Sequence, residues 1–281
     1  MSTSQPYILN RVQNPKAMEI TYHSIKRGNK TDEDLAEATG FDEEKLLDQS
    51  TTGLNLYGLI GKREYEYFTK DLSFDTGDDT LDFKMTMLRN IAREATEDDW
   101  GKQSALLLNY EYLLDNGRQY FSGSDSELIK DIDLWHQEMG YEPRNNRGKR
   151  SKLNDVKFSN WTSQATYLGL LHTARQNEFT VYPNPELLVA AIRRCTETAG
   201  NGEEVELAEF VPWMGENLFR VPLTSEGHFT KPVSRALYTL AKQERIAFVK
   251  SGDARQVNLS GVQVSKIDTI AKDANVVKPL Q

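Results

Sequence analysis

PKAMEITYHSIKRGNKTDEDLAEATGFDEEKLLDQSTTGLNLYGLIGKREYEYFT, residues 15–69, decides the fold class. Met18, Tyr22 and Ile25 recur at helical spacing from Pro15 to Lys26, and Gly28 ends that helix. Thr31 followed by Asp34 forms a capping signal for a short helix over Asp32 to Thr39, stopped at Gly40. A third helix, from about Asp42, turns Leu46 and Leu47 inward. Three helices joined by tight turns predict a helix-turn-helix unit. Leu54 to Ile60, then Gly61-Lys62-Arg63, then alternating Tyr65, Tyr67 and Thr69 predict two strands around a turn, a hairpin placed as a wing.

The same helix-to-hairpin ending recurs twice. A helix from near Ser159, carrying Trp161, Ala165 and Leu168 on one side, precedes Tyr167 to Leu171, a polar turn at Thr173 to Asn177, and Phe179-Thr180-Val181-Tyr182. A helix from Pro232 to Glu244, with Val233, Leu237 and Leu240 as its apolar stripe, precedes Ile246 to Val249, a Ser251-Gly252-Asp253 turn, and Gln256 to Leu259. Leu81 to Met139 is rich in helical pattern, with a polar break at Phe121 to Ser126, and the tail from Val262 reads as a short helix. The expected fold class is mainly α with short β-hairpins, α+β. Its expected division is 1–78, a helical bridge 79–140, a second winged unit 141–200, and a third with its tail 201–281.

At 281 residues and 38% hydrophobic content, the chain is long enough for two or three small domains. No leader pattern or long apolar run is expected from the sequence, which points to a cytoplasmic protein without membrane contact. One cysteine, Cys195, excludes an internal disulfide framework and a thiolate-rich zinc site.

Net charge is -8, so any polyanion must be met by a local concentration of cations. Residues 30–48 hold eight acids against Lys30 and Lys45, and that face should avoid phosphate. Residues 144–157 hold six bases against Asp155, and residues 231–259 hold six bases against two acids. These two stretches can meet a phosphate backbone.

Catalytic constellations fail for want of partners. His136-Gln137-Glu138 has the H-x-E order of a zinc deaminase but no P-C-x-x-C half, and the four histidines are scattered. Asp131 and Asp133 read as an exposed helix face. Phosphate-loop, dinucleotide and nucleophile-elbow motifs do not occur. No enzyme activity, cofactor or metal is expected.

Binding candidates remain. Arg144, Arg147, Lys149, Arg150 and Lys152 form a polar arm suited to gripping phosphate, and Ser159, Asn160, Thr162 and Gln164 start a neutral helix able to hydrogen-bond base edges. Lys231, Arg235, Lys242 and Arg245 can share one helix surface, flanked by Lys250 and Arg255. The acidic Asp42, Glu43 and Glu44, with Tyr65 and Tyr67, suit a protein partner.

The three helix-to-hairpin segments, Asp32 to Thr69, Trp161 to Tyr182 and Val233 to Leu259, resemble the winged-helix superfamily. The Trp161 segment looks like winged-helix segments in accessory proteins of prokaryotic restriction or antiphage systems. The resemblance implies double-stranded DNA binding or protein docking. The expectation is a non-catalytic DNA-binding accessory subunit working beside an ATPase or nuclease. A protein adaptor without DNA contact and a stand-alone transcription regulator are the alternatives. The acids at Asp42 to Glu44, where the first unit's reading helix begins, depart from a DNA-reading pattern.

Overall fold

A computed structural model describes residues 6–96, 99–145, 147–199, 202–249, 257–260 and 269–271. The chain is α+β, about 53% helical and 14% strand. Its helices are α1 (Ile8–Arg11), α2 (Pro15–Lys26), α3 (Asp32–Thr39), α4 (Asp48–Leu56), α5 (Asp79–Glu94), α6 (Ala105–Asp115), α7 (Ser126–Glu138), α8 (Asp155–Tyr167), α9 (Pro185–Thr198), α10 (Leu207–Asn217) and α11 (Lys231–Lys242). The strands are β1 (Ile60–Arg63), β2 (Glu66–Thr69), β3 (Ala95–Thr96), β4 (Asp99–Trp100), β5 (Tyr120–Ser122), β6 (Leu171–Arg175), β7 (Glu178–Val181), β8 (Glu204–Glu206), β9 (Ala247–Val249) and β10 (Thr269–Ala271).

Contacts divide the chain into two units. One comprises residues 1–108 and 123–168, the other 109–122 and 169–281. The expected second winged segment is therefore shared between them, its helix α8 in the first unit and its hairpin in the second.

In the first unit, local signals set the early helices. Asn14 caps α2 ahead of Pro15, and Thr31 and Asp34 close a reciprocal capping box on α3, with bonds of 3.1 and 3.2 Å. Gly40, at φ +69°, ends α3. The next helix opens as a π-helical turn, Glu43–Leu47, and α4 runs on to Leu56. Leu54 and Leu56 therefore lie on a helix rather than a strand. Their two-residue spacing imitates strand alternation, but both are buried in helical geometry, and the chain turns only at Gly58, φ +68°. The hairpin turn falls at Glu64-Tyr65, with Glu64 left-handed at φ 53°. The Tyr67 amide donates to the Lys30 carbonyl at 2.8 Å, which puts Lys30 beside β2 where a third strand would lie.

Helix α8 is anchored to the first unit's interior. Trp161 is fully buried and its indole N–H donates to the Leu106 carbonyl at 2.9 Å. Phe158 stacks on Trp161.

The second unit holds two antiparallel three-stranded sheets, ordered β5-β7-β6 and β8-β10-β9. In each, the strand last in the chain is central. The preceding elements also run alike: α6, β5, α7, α8, β6, β7, and then α9, β8, α10, α11, β9, β10. Strand β9 pairs with β10, so residues 269–271 of the expected tail helix are strand, and among the described residues no pairing of β9 with the expected strand over 256–259 is seen. Leu259 instead bridges Phe229 in parallel. The expected turn at Ser251-Gly252-Asp253 lies outside the described residues.

Candidate nucleic-acid interface

In the first unit, residues 143–145 and 147–151 are drawn together as the two sides of a hairpin. Asn145 N–H donates to the Lys149 carbonyl at 2.8 Å, and Ser151 N–H to the Pro143 carbonyl at 2.6 Å. The Asn145 side-chain oxygen accepts from the amides of Arg147 and Lys149. This pinning explains how so polar a stretch holds one conformation: side chain and backbone satisfy each other locally. Arg144, Arg147, Lys149 and Lys152 are exposed, and Arg144 also meets Glu142 at 3.5 Å.

Arg150 is not available to phosphate. Its guanidinium makes two 2.9 Å bonds to the Asp133 carboxylate and one of 2.8 Å to the Asp133 carbonyl, with 16% and 14% of the two side chains exposed. Asp133 also accepts from the Leu153 amide at 2.7 Å. The aspartate expected on a solvated face is thus the anchor of the basic hairpin. Lys157 is buried as well. Its ammonium donates to Ser151 Oγ at 2.9 Å and to the Lys152 carbonyl, and burial lowers its pKa.

The expected base-reading side chains of α8 are mostly consumed internally. Gln164 is fully buried, accepting from the Tyr57 hydroxyl at 2.8 Å and donating to the Val12 carbonyl at 3.2 Å. Asn160 donates to the Leu9 carbonyl at 2.8 Å, and Thr162 is buried, bonding back to the Ser159 carbonyl at 2.8 Å. Of the four, only Ser159 is exposed. The helix turns its polar side toward α1 and α2, where backbone carbonyls need donors.

The acidic face is solvated: Asp42 caps the π-helical turn by accepting from the Lys45 amide at 3.1 Å, and Glu43 and Glu44 are exposed. Tyr65, at the hairpin tip, is 83% exposed. Tyr67 is half-buried. Lys62 donates to its hydroxyl at 3.1 Å and to Asp32 at 3.2 Å, and the Tyr67 bond leads the causes that raise the Lys62 pKa.

In the second unit, α11 starts behind extended Thr230 with Pro232 in its first turn, and buries Val233, Ala236, Leu237 and Leu240. Ser234 fixes the helix by donating to the Phe229 carbonyl at 3.0 Å and accepting from the Ser260 amide at 2.9 Å. The opposite face shows Lys231, Arg235 and Lys242, all exposed. The segment 231–242 contains no acid. Neither Lys231 nor Arg235 has a side-chain bond to a described residue, while Lys242 lies 5.0 Å over the Tyr238 ring. Arg245 is committed elsewhere, through two 2.7 Å bonds to Glu186 that raise its pKa. Lys250 and Arg255 lie outside the described residues.

Beside α11 lies a cleft of about 340 Å³ whose walls include Arg235, Tyr238, Gln119, Thr180 and Tyr182. The sequence marks Arg235 only. Tyr238 stands three residues after it on the same helix, a spacing that could have flagged it, but Gln119 and Tyr182 arrive through sheet pairing that no local pattern encodes.

Comparison with known proteins finds no matching family model, no similar curated protein and no similar solved structure.

Proposed function

We propose that the chain is a non-catalytic binding protein of tandem winged-helix-like repeats, and that its last repeat contacts double-stranded DNA through the outer face of α11. The carrying observation is the acid-free row Lys231, Arg235 and Lys242 on the helix that precedes the β9 strand. Support for repetition comes from two sheets whose last strand is central, each following the same run of elements. The hairpin carrying Arg147 and Lys149, with Lys152 just beyond it, is a separate candidate phosphate contact. We further propose that the protein works as an accessory subunit in a larger prokaryotic assembly that supplies the chemistry.

A second reading, a protein adaptor, is favoured by Tyr65: an 83% exposed aromatic at a hairpin tip, in the same unit as solvated Asp42 to Glu44, suits an anchor for a basic partner.

Fluorescence anisotropy with duplex DNA at about 50 and 200 mM salt tests the first reading, because phosphate contacts give a steep salt slope. Replacing Lys231, Arg235 and Lys242 with alanine should weaken binding to every sequence and lower the slope by about three. No detectable binding at the lower salt, or an unchanged slope in the triple variant, overturns it.

A further inference from the structure

We infer that the cleft beside α11 seats one sugar–phosphate unit of a DNA strand running along that helix, an inference that rests on the duplex-binding reading above.

The lining chemistry selects an anion with an uncharged, partly apolar body. Among the described residues, Arg235 supplies a guanidinium and Gln119 a side-chain amide, each without a side-chain partner, and no carboxylate lines the cleft. A phosphodiester is an anion that a guanidinium and a neutral N–H donor hold together. The rings of Tyr238 and Tyr182, with Pro232, give flat walls for a deoxyribose. Thr180 and Thr239 are spent, their hydroxyls donating to the carbonyls of His172 and Arg235, so the free donors are few and specific.

What distinguishes a strand from a small free anion is the charge beyond the cleft. Lys231 lies four residues before Arg235 and Lys242 seven after it, both exposed. That row extends about 16 Å along the helix, about five base steps of duplex at 3.4 Å each. A lone phosphate needs no cations so far from its seat, whereas a continuous polyanion meets them all. The strand would thereby touch both the last repeat, through Arg235, and the residue just ahead of β5, Gln119.

The test uses the full chain and a short fluorescent duplex. Gln119→Leu removes a neutral donor, so affinity should fall about three- to tenfold with the salt slope unchanged. Arg235→Gln should weaken binding and lower the slope by about one. Circular-dichroism melts confirm that each variant folds. If Gln119→Leu binds within about twofold of wild type while Lys231→Ala weakens binding, the cleft assignment falls and the duplex reading stands. If wild type binds no duplex, both fall. If millimolar inorganic phosphate or a polyglutamate peptide displaces the duplex from wild type but not from Arg235→Gln, the cleft serves another anion and the strand assignment is overturned.

Discussion

Arg150 and Asp133 form a two-pronged ion pair, both bonds 2.9 Å, that ties the basic hairpin to α7. With both side chains about one-seventh exposed, the pair stands largely out of water, and Asp133 is further committed to the Leu153 amide. Removing one partner strands the other charge and leaves that amide without its acceptor. Asp133→Ala should cost roughly 2–4 kcal/mol in denaturant unfolding, and the double variant with Arg150→Ala should cost clearly less than the sum of the singles. Additive costs would mean that the pair contributes no coupling.

Gln164 should matter for stability and not for DNA. Its replacement by alanine leaves the buried Tyr57 hydroxyl and the Val12 carbonyl unpaired, a loss of about 1–3 kcal/mol. Duplex affinity of the folded variant should match wild type. A large affinity loss with unchanged melting temperature would return this residue to the DNA interface.

Gly169 sits at φ +81°, and a Cβ there would lie 2.9 Å from Asn184 Cβ. The Gly169 carbonyl also accepts from the Asn184 amide at 2.7 Å, so the two backbones cannot easily part. Gly169→Ala should therefore destabilise by about 1–3 kcal/mol in thermal or urea unfolding. A neutral result would show that the turn relaxes freely.

His136 is buried on α7, edge-on to Tyr141 at 5.1 Å, and burial lowers its pKa from 6.5 to about 4. Above pH 6.5 both folded and unfolded states hold it neutral. As pH falls from 6.5 toward 4, the unfolded chain takes up a proton that the folded one refuses, so stability declines, by about 3 kcal/mol at most. His136→Phe should flatten that part of the stability–pH curve; an equally steep decline in the variant would assign the acid sensitivity to other groups.

The sequence by itself determined the pieces whose cause is local. Thr31 and Asp34 cap a helix wherever they meet, Gly40 ends one because it alone enters the left-handed region without strain, and the apolar stripe of Val233, Leu237 and Leu240 needs only helical periodicity to be seen. The α+β class follows from such pieces. Where two periods agree, local reading failed: Leu54 and Leu56 alternate like a strand, yet they continue a helix because burial on α4 outweighs their spacing.

Which charges are free was decided by tertiary structure alone. Arg150 and Arg147 are indistinguishable in sequence, but one faces Asp133 across 17 residues and the other faces water. Arg245 and Arg235 differ in the same way, since Glu186 reaches the first from 59 residues away. Strand partners were likewise hidden, β9 pairing with β10, whose residues local reading placed in a tail helix. The physical reason is common to all three: an ion pair or a ladder bond depends on distance in space, and a single sequence records only separation along the chain.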